Sequence, residues 1–545
     1  MPRSRRLLTA LTVAVVTALG VAGVARAGVT VAGGNLGFQV YHPPAPLVSD
    51  TAAEPSIGAD HTTDTIMYQS DLHTFAVKFD QATNPATATW KDVSFPTTSQ
   101  TTLDPILFTD SDKGRTFVSQ LTGVDSLSAF TDNNGTSWTP SQGGGIPSGV
   151  DHQSIGAGPY NPAGVPPQST VYGNAVFYCS QGVAAAFCAR SDDGGINFAA
   201  GVPVYSFDQC GGLHGHIKVS PGGLDMLPNQ NCDKQIDPGA GAQQAANGGH
   251  FPFQAVVTSN DNGNTWTAQT IPDSHASLRS DPAVGADKAG TVYFGYEDAV
   301  NDVNGNQVGG HAAVATATVG AGGVLTWNPS IDVGAAVGVQ NVQFPEIIGG
   351  DGGRAAYAFL GSTTAGNPED VAFRGTWDLY IAVTVDGGKN WSVTDATPGD
   401  PVERGCTYLA GYSTSTCPNP AKRNLLDFMD ITIDEDGHVL VGYADGCIDA
   451  CATGDGSACQ STDFPSDPQV CDSGSAASTT RYASIARLQC GPSMYVEYDN
   501  TYTCPPGVQV PEAPWLPMLT VAGAGAVAVP AIIRRRRTAT LGGIA

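Results

Sequence analysis

Four eight-residue segments of the chain follow one pattern, in which Asp or Asn and then Gly precede a final Trp or Phe. They read TDNNGTSW, SDDGGINF, SNDNGNTW and TVDGGKNW, at residues 131–138, 191–198, 259–266 and 384–391. Each follows a short apolar run, so the pattern predicts a hairpin tip between two strands. Gly allows a positive φ, the Asp or Asn oxygen can accept bonds from turn amides, and the aromatic ring can pack on the strands.

A second element recurs upstream of these hairpins: an acidic residue or His, often followed by Pro, and then an apolar run. It occurs at residues 54–58, 104–107, 151–155, 213–217, 281–284, 345–348 and 426–431. Units of about 47 to 80 residues that each hold several short strands are typical of propeller blades, which bury their apolar faces against neighbouring blades. We therefore expect residues 35–505 to form a single all-β propeller with seven blades, or six if one unit is an insertion.

The amino-terminal segment and the cysteines predict an exported protein. Residues 1–27 combine basic residues, an apolar run and the small-residue pattern Ala25-Arg26-Ala27, as a signal peptide does. The chain has 12 Cys, an even number that suits disulfides formed in an oxidising compartment. Four local pairs are expected, and residues 447, 451, 459 and 471 leave three connectivities open. The expected pairs are Cys179 with Cys188, Cys210 with Cys232, Cys406 with Cys417, and Cys490 with Cys504.

The carboxy-terminal segment predicts attachment to a membrane. Residues 515–533 contain no charged side chain and are long enough to cross the hydrocarbon core. A linker at 506–514 precedes them, and the tail at 534–545 begins with four arginines, which predict a cytoplasmic end. Residues 510–537 also resemble an exosortase-type sorting signal, so a sorting signal and a plain anchor both stay open.

Charge excludes one class of partner. The chain has 25 Lys and Arg against 50 Asp and Glu, a formal net charge of -25. Binding to a phosphate backbone requires a basic face that releases counterions. We therefore expect no nucleic-acid partner.

The four hairpins resemble the Asp-box, or bacterial neuraminidase repeat, and through them most of residues 35–505 resembles the sialidase superfamily of β-propellers. The resemblance implies a glycan or glycoprotein partner and glycoside hydrolysis of the exo-α-sialidase type. Asp-boxes also occur in sortilin-like receptors, xyloglucan-cleaving propellers and photosystem assembly factors. A non-catalytic propeller that binds glycans, proteins or a divalent cation at the cell envelope is therefore the alternative.

The resemblance to exo-sialidases also implies an arginine clamp for the substrate carboxylate. Those enzymes carry an Arg-Ile-Pro signature in the first blade, where this chain reads Glu54-Pro55-Ser56-Ile57, and no arginine lies between the signal peptide and Arg115. A clamp would have to come from later arginines. The candidate substrate-binding residues are Arg279, Arg374, Arg404 and His152.

The recurrent acidic residues and histidines begin the innermost strands and should therefore converge on the propeller axis. One interpretation is catalysis, with one carboxyl as general acid and a second as nucleophile or base. The candidate catalytic residues are Asp104, Asp151, Asp281 and Glu346. The same two-carboxyl chemistry would cleave a neutral glycan, which predicts two carboxyls about 5 to 9.5 Å apart, flanked by aromatic side chains.

Two other interpretations stay open for the axial residues. Oxygen ligands could gather there around calcium. His214 and His216, which would share one face of a strand, could instead hold a transition-metal ion together with Asp151. Alternatively, the Asp-Pro and Glu-Pro pairs only cap the start of each inner strand by accepting hydrogen bonds from amides of the neighbouring blade.

Overall fold

The computed structural model describes residues 30–33, 36–47, 51–123, 125–141, 151–182, 185–206, 208–211, 213–233, 252–277, 279–370, 373–407, 425–448, 450–453 and 481–499. These residues form seven β-sheets around one axis. Each innermost strand lies beside the innermost strands of the two neighbouring sheets, and the seventh lies beside the first. The chain is therefore a seven-bladed β-propeller. This confirms the expected all-β fold and the count of seven blades.

The strands are numbered in chain order, and the first two, β1 (Thr30–Gly33) and β2 (Gly37–Tyr41), join the last two blades. Blade 1 contains β3 (Ser56–Asp60), β4 (Thr65–Ser70), β5 (His73–Asp80) and β6 (Thr87–Asp92). Blade 2 contains β7 (Pro105–Asp110), β8 (Arg115–Leu121), β9 (Ser126–Thr131) and β10 (Thr139–Pro140). Blade 3 contains β11 (Asp151–Pro159), β12 (Asn174–Gln181), β13 (Ala185–Ser191) and β14 (Val202–Ser206).

Blades 4 to 7 complete the ring. Blade 4 contains β15 (Lys218–Val219), β16 (Asp225–Cys232), β17 (Phe253–Ser259) and β18 (Thr267–Thr270). Blade 5 contains β19 (Ala283–Ala286), β20 (Val292–Asn301), β21 (Gln307–Val319), β22 (Leu325–Trp327) and β23 (Ile331–Asp332). Blade 6 contains β24 (Asn341–Gly349), β25 (Ala355–Ser362), β26 (Thr376–Thr384), β27 (Asn390–Asp395) and β28 (Glu403–Arg404). Blade 7 contains β29 (Asp430–Ile433), β30 (Val439–Asp445) and β31 (Tyr482–Cys490).

The amino-terminal strands close the ring. β2 is the outermost strand of blade 7 and pairs antiparallel with β31, with Phe38 opposite Leu488. β1 pairs in parallel with β27 of blade 6, starting with Thr30 opposite Asn390. Blade 7 therefore combines residues from both ends of the propeller.

Aromatic side chains join neighbouring blades by packing on glycines. Tyr357 of blade 6 lies over Gly295 of blade 5, where an added Cβ would come within 2.6 Å of the ring. Tyr68 of blade 1 lies over Gly442 of blade 7 in the same way, with 2.8 Å from an added Cβ to the ring. Both tyrosines are fully buried. Because each glycine makes room for a large ring, the blades can pack closely without a void.

The four repeated octapeptides form one kind of turn, always between the third and fourth strands of a blade. In blade 4 the hydroxyl of Ser259 accepts a hydrogen bond from the Gly263 amide at 2.7 Å, and Asp261 accepts one from the Thr265 amide at 2.8 Å. The other three copies repeat both bonds. Trp266 packs edge-on against Phe177 of blade 3. The turns thus lie away from the axis.

Disulfides and short helices complete the described chain. Cys179 bonds Cys188 and Cys210 bonds Cys232 as expected, and Cys447 bonds Cys451. The expected partners of Cys406 and Cys490 lie outside the described residues. The helical segments are Ala321–Gly323, Gly334–Val337, Ala450–Thr453 and Val496–Tyr498.

In the part of the chain that the structure describes, no helix is long and apolar enough to cross a bilayer. The expected signal peptide, linker, apolar segment and basic tail all lie outside that part.

Candidate functional site

The inner strands of blades 3 to 7 start at a group of ionisable side chains around the axis. We call this group the axial cluster, and it consists of His152, His214, His216, Lys218, Asp281, Glu346 and Asp430. Most of these side chains are buried, and Lys218 and Asp281 keep 22% and 12% of their side-chain surface exposed. The cluster unites residues that lie far apart in the sequence.

An irregularity in the backbone lies within or just before several inner strands. His152 has a φ of 44°, and Glu54, Phe344 and Leu426 have φ values of 45°, 50° and 59°. Positive φ costs a non-glycine residue about 1 to 2 kcal/mol, so the surroundings must hold these residues in place. At His152, the backbone amide donates to the Asp151 carboxylate at 3.1 Å. His152 lies within β11, where the pairing with β12 shifts register between Asp151 and Gln153.

His152 and Asp281 form the closest ion pair of the cluster. The distance between His152 Nδ1 and Asp281 Oδ2 is 2.8 Å. Burial lowers the pKa of His152, but the Asp281, Asp104 and Asp151 carboxylates together outweigh burial and hold that pKa well above its usual value. Burial raises the pKa of Asp281, and the His152 imidazole opposes this rise. His152 therefore binds a proton more tightly than a free imidazole does, and this proton is the one that an acid catalyst would donate.

A second group within the cluster brings together His216, Glu346 and Asp430. His216 lies just before β15 of blade 4, Glu346 lies within β24 of blade 6, and Asp430 begins β29 of blade 7. One ligand atom of each lies within 4.8 Å of the others. His216 Nδ1 is 3.6 Å from Glu346 Oε1, and Lys218 Nζ is 3.9 Å from Asp430 Oδ1. Burial and the nearby Asp430 carboxylate raise the pKa of Glu346 well above its usual value.

Asp104 caps an inner strand across a blade boundary. Its Oδ2 accepts a hydrogen bond from the Gln153 amide at 2.6 Å, and its own backbone oxygen accepts one from the Gln153 side chain. Burial raises the pKa of Asp104 to about 7, and the nearby His152 opposes the rise. Asp104 therefore accepts a hydrogen bond from an amide of the neighbouring blade, as the capping interpretation predicts.

The same cap recurs at other blade boundaries. Ser154 Oγ accepts from the Ile217 amide at 2.8 Å, and Asp430 Oδ2 accepts from the Ile57 amide at 3.1 Å. Both bonds join the start of one inner strand to that of the next blade. Since an unpaired buried amide costs about 1 to 3 kcal/mol, these caps help to hold the blades together.

His214 lies beside His152 rather than with His216 and the carboxyls. The His152 and His214 rings meet edge-on with 6.4 Å between their centres, whereas His216 packs edge-on against Phe428 at 4.7 Å. Burial lowers the pKa of His214 to about 4. The alternation expected for a strand does not apply to the two histidines, because β15 begins only at Lys218.

The candidate arginines make contacts at separate places. Arg279 is buried and donates to the Asn367 side chain at 2.7 Å and to the Gln307 carbonyl at 2.8 Å, between blades 5 and 6. Arg404 donates to the Cys451 carbonyl at 2.8 Å, beside the short helix. Arg374 is exposed.

Sequence reasoning missed Asp430 and Lys218 as site residues. Asp430 could have been found by aligning the starts of the inner strands on their shared isoleucine. The residue directly before that isoleucine is Ser56, Pro105, Ser154, His216, Glu346 or Asp430. Three of these six positions carry an ionisable group, and those three are the residues that meet. No comparable pattern singles out Lys218.

Comparisons with known proteins identify no family. No protein-family profile and no curated protein matches the chain. Among solved structures, a polysaccharide lyase described as an ulvan lyase shares 11% identity over 76% of this chain and 92% of its own, with a TM-score of 0.38. A GH74 enzyme of Niastella koreensis shares 14% identity over 77% of this chain and 53% of its own, with a TM-score of 0.37. A Hadza microbial sialidase shares 13% identity over 72% of this chain and 64% of its own, with a TM-score of 0.32.

Proposed function

We propose that the protein is an exported glycan-binding propeller that hydrolyses a glycosidic bond at the axial cluster. The observation that carries this proposal is the 2.8 Å contact between His152 Nδ1 and Asp281 Oδ2. This pair belongs to the part of the cluster that keeps some exposure, since Asp281 is 12% exposed. The resemblance of the hairpins to the Asp-box supports a glycan as the substrate.

Asp281 contacts the His152 imidazole, and a second carboxyl, Asp151, contacts the His152 backbone. Asp281 orients and charges the ring, and the half-buried Asp151 accepts a hydrogen bond from the His152 amide. In the proposed reaction, His152 gives its proton to the leaving oxygen of the glycosidic bond. Asp151 takes a proton from the attacking water, whose oxygen joins the anomeric carbon. This division of roles follows the acid and base pair of other glycoside hydrolases.

The charge of the cluster favours a neutral glycan over a sialoside. Sialic acid carries a carboxylate, which an acidic site would repel unless a cationic group compensates. The cluster's own cation, Lys218, lies 3.9 Å from Asp430. Arg279 and Arg404 are held at separate places by other contacts, and the chain carries a net charge of -25. We therefore expect hydrolysis of neutral glycosides, and treat cleavage of a sialoside, as by an exo-α-sialidase, as the alternative result.

The test compares hydrolysis of fluorogenic neutral glycosides and of a fluorogenic sialoside by the purified protein. Asp281→Asn should lower kcat/KM by about 100-fold or more, because His152 loses the group that orients and charges it. Asp112→Asn is the matched control, since that carboxyl is 92% exposed in the β7–β8 turn. Equal activity of Asp281→Asn and wild type would contradict the proposed pair.

Binding without hydrolysis would support the alternative. In that case a glycan array would detect ligands of wild type, while no substrate of the panel is cleaved. Export and membrane attachment, proposed from residues 1–27 and 515–533, need a separate test. Amino-terminal sequencing of the mature protein and fractionation of cells would reveal the cleavage site and the membrane-bound share.

A further inference from the structure

We propose that His216, Glu346 and Asp430 form a binding site for a divalent transition-metal ion, of which zinc is the best fit. One nitrogen and two carboxylate oxygens, all within 4.8 Å of one another, converge from three separate blades. A mixed set of imidazole and carboxylate donors is typical of zinc and of neighbouring first-row metals. This inference goes beyond glycan hydrolysis and does not depend on it.

The spacing of the donors suits a small metal ion. Zinc bonds to nitrogen and carboxylate oxygen at about 2.0 to 2.2 Å, and tetrahedral ligands at such distances are about 3.4 Å apart. His216 Nδ1 and Glu346 Oε1 are 3.6 Å apart. Small side-chain movements would therefore bring these two atoms onto one ion.

An unpartnered buried oxygen gives independent support. Within the described residues, Glu346 Oε2 is shielded from solvent and has no hydrogen-bond partner, and Glu346 as a whole is 5% exposed. Leaving a buried polar atom unpaired costs about 1 to 3 kcal/mol. A cation bound beside Oε1 would interact with both oxygens of this carboxyl and remove that cost.

The other ligands are held in place by their surroundings. The Ile57 and Ile431 amides donate to the two oxygens of Asp430 at 3.1 and 2.9 Å, and the Phe428 ring packs edge-on against His216 at 4.7 Å. Such supporting contacts orient metal ligands in known sites.

Charge balance also favours a cation at this place. The two carboxyls face Lys218, whose ammonium lies 3.9 Å from Asp430 and is 22% exposed. A single ammonium offsets one of two ionised carboxylates, whereas a divalent ion offsets both. Lys218 can turn toward solvent when the metal binds, because it already keeps part of its surface exposed.

The site differs in its ligands from the transition-metal site expected from sequence. His216 is shared, but the other ligands are Glu346 and Asp430 rather than His214 and Asp151. The imidazole of His216 disfavours calcium, which takes six to eight oxygen ligands. We therefore expect selection of zinc over calcium.

The experiment uses the full chain, treated with EDTA, dialysed, and titrated with Zn²⁺ and Ca²⁺ in a calorimeter. Wild type should bind one equivalent of Zn²⁺, confirmed by elemental analysis, and its Tm should rise with the metal. Glu346→Gln and His216→Gln should each weaken Zn²⁺ binding by about 100-fold or more. The matched controls Asp112→Asn and His275→Gln change exposed residues and should bind as wild type does.

Cobalt provides a second measurement that requires no variant. Co²⁺ bound to one nitrogen and two oxygens in a four- or five-coordinate site should give intense visible absorption bands, which Zn²⁺ then removes by displacement. Absence of stoichiometric Zn²⁺ binding to wild type would overturn the proposal. Unchanged Zn²⁺ affinity in a folded Glu346→Gln variant would also overturn it. The same holds if His214→Gln loses Zn²⁺ affinity and Glu346→Gln does not. Hydrolysis assays decide the proposed function separately, through Asp281→Asn.

Discussion

Asp104 of blade 2 accepts a hydrogen bond from the backbone amide of Gln153 in blade 3, at 2.6 Å from Oδ2 to the nitrogen. The bond joins the starts of two neighbouring inner strands, and both residues are buried. An acidic residue that begins a blade can therefore serve the ring rather than a substrate. Asp281 in blade 5 occupies a similar place in the sequence but pairs with His152 instead.

The capping role of Asp104 predicts that its two simplest substitutions differ. Asp104→Ala leaves the Gln153 amide unpaired and should lower the free energy of unfolding by about 1 to 3 kcal/mol. Asp104→Asn keeps an oxygen that can accept this bond, so it should stay close to wild type in stability and in hydrolysis. Chemical denaturation and the glycoside assay measure the two effects. Loss of hydrolysis in a stable Asp104→Asn would assign Asp104 to catalysis.

Closure of the ring by β2 predicts that its core residue is important for stability. Phe38 is 4% exposed and pairs with Leu488 of β31. Phe38→Ala should lower the free energy of unfolding by about 3 to 5 kcal/mol, because it opens a cavity at the closing strand. Val303→Ala, at a fully exposed position, should change it by less than about 0.5 kcal/mol. Equal denaturation midpoints for the two variants would argue against closure by β2.

Substitution of the aspartate in a repeated turn should cause a small loss of stability. Asp261 accepts bonds from the amides of Asn264 and Thr265 and from the Thr265 hydroxyl. Asp261→Ala removes them and should destabilise the protein by about 1 to 2 kcal/mol, as seen in thermal unfolding. Asp112→Ala, in an exposed turn, serves as the control. An equally large loss in Asp112→Ala would show that the turn bonds are not the cause.

Replacement of the buried Asp225 should stabilise the protein at high pH. It is 1% exposed, and burial raises its pKa to about 8, although the Ser259 side chain opposes the rise. Because the folded-state pKa lies above the unfolded value of 3.8, its favourable contribution is complete below pH 3.8 and is lost as pH rises toward 8. Asp225→Asn should therefore raise Tm at pH 8 by about 2 °C or more.

The control for this prediction measures the Tm of Asp225→Asn and of wild type at low pH. At pH 3.5 the wild-type carboxyl is protonated in both states, so the difference in Tm between Asp225→Asn and wild type should disappear. A difference of equal size at both pH values would contradict ionisation as its cause.

Much of the architecture could be predicted from the sequence, because it depends on local patterns. The turn at 259–266 needs only a hydroxyl, an Asp oxygen and a glycine at fixed spacing. The inner strand of blade 1 could be predicted from the apolar run that follows Glu54. Two disulfides also followed from short spacing. The closing strand β2 could not be predicted in this way, because its partner β31 lies more than 400 residues away and nothing local specifies such a pairing.

The residue types that surround the axis were determined by the sequence alone: it repeats the start of each inner strand and places a carboxyl, imidazole or hydroxyl there. Only the tertiary structure decided which of these groups meet. His216 contacts Glu346 rather than His214, and Asp281 contacts His152, because the twist and position of each blade set the distances between side chains of different blades. Such distances depend on the packing of seven sheets at once, and no short segment encodes them.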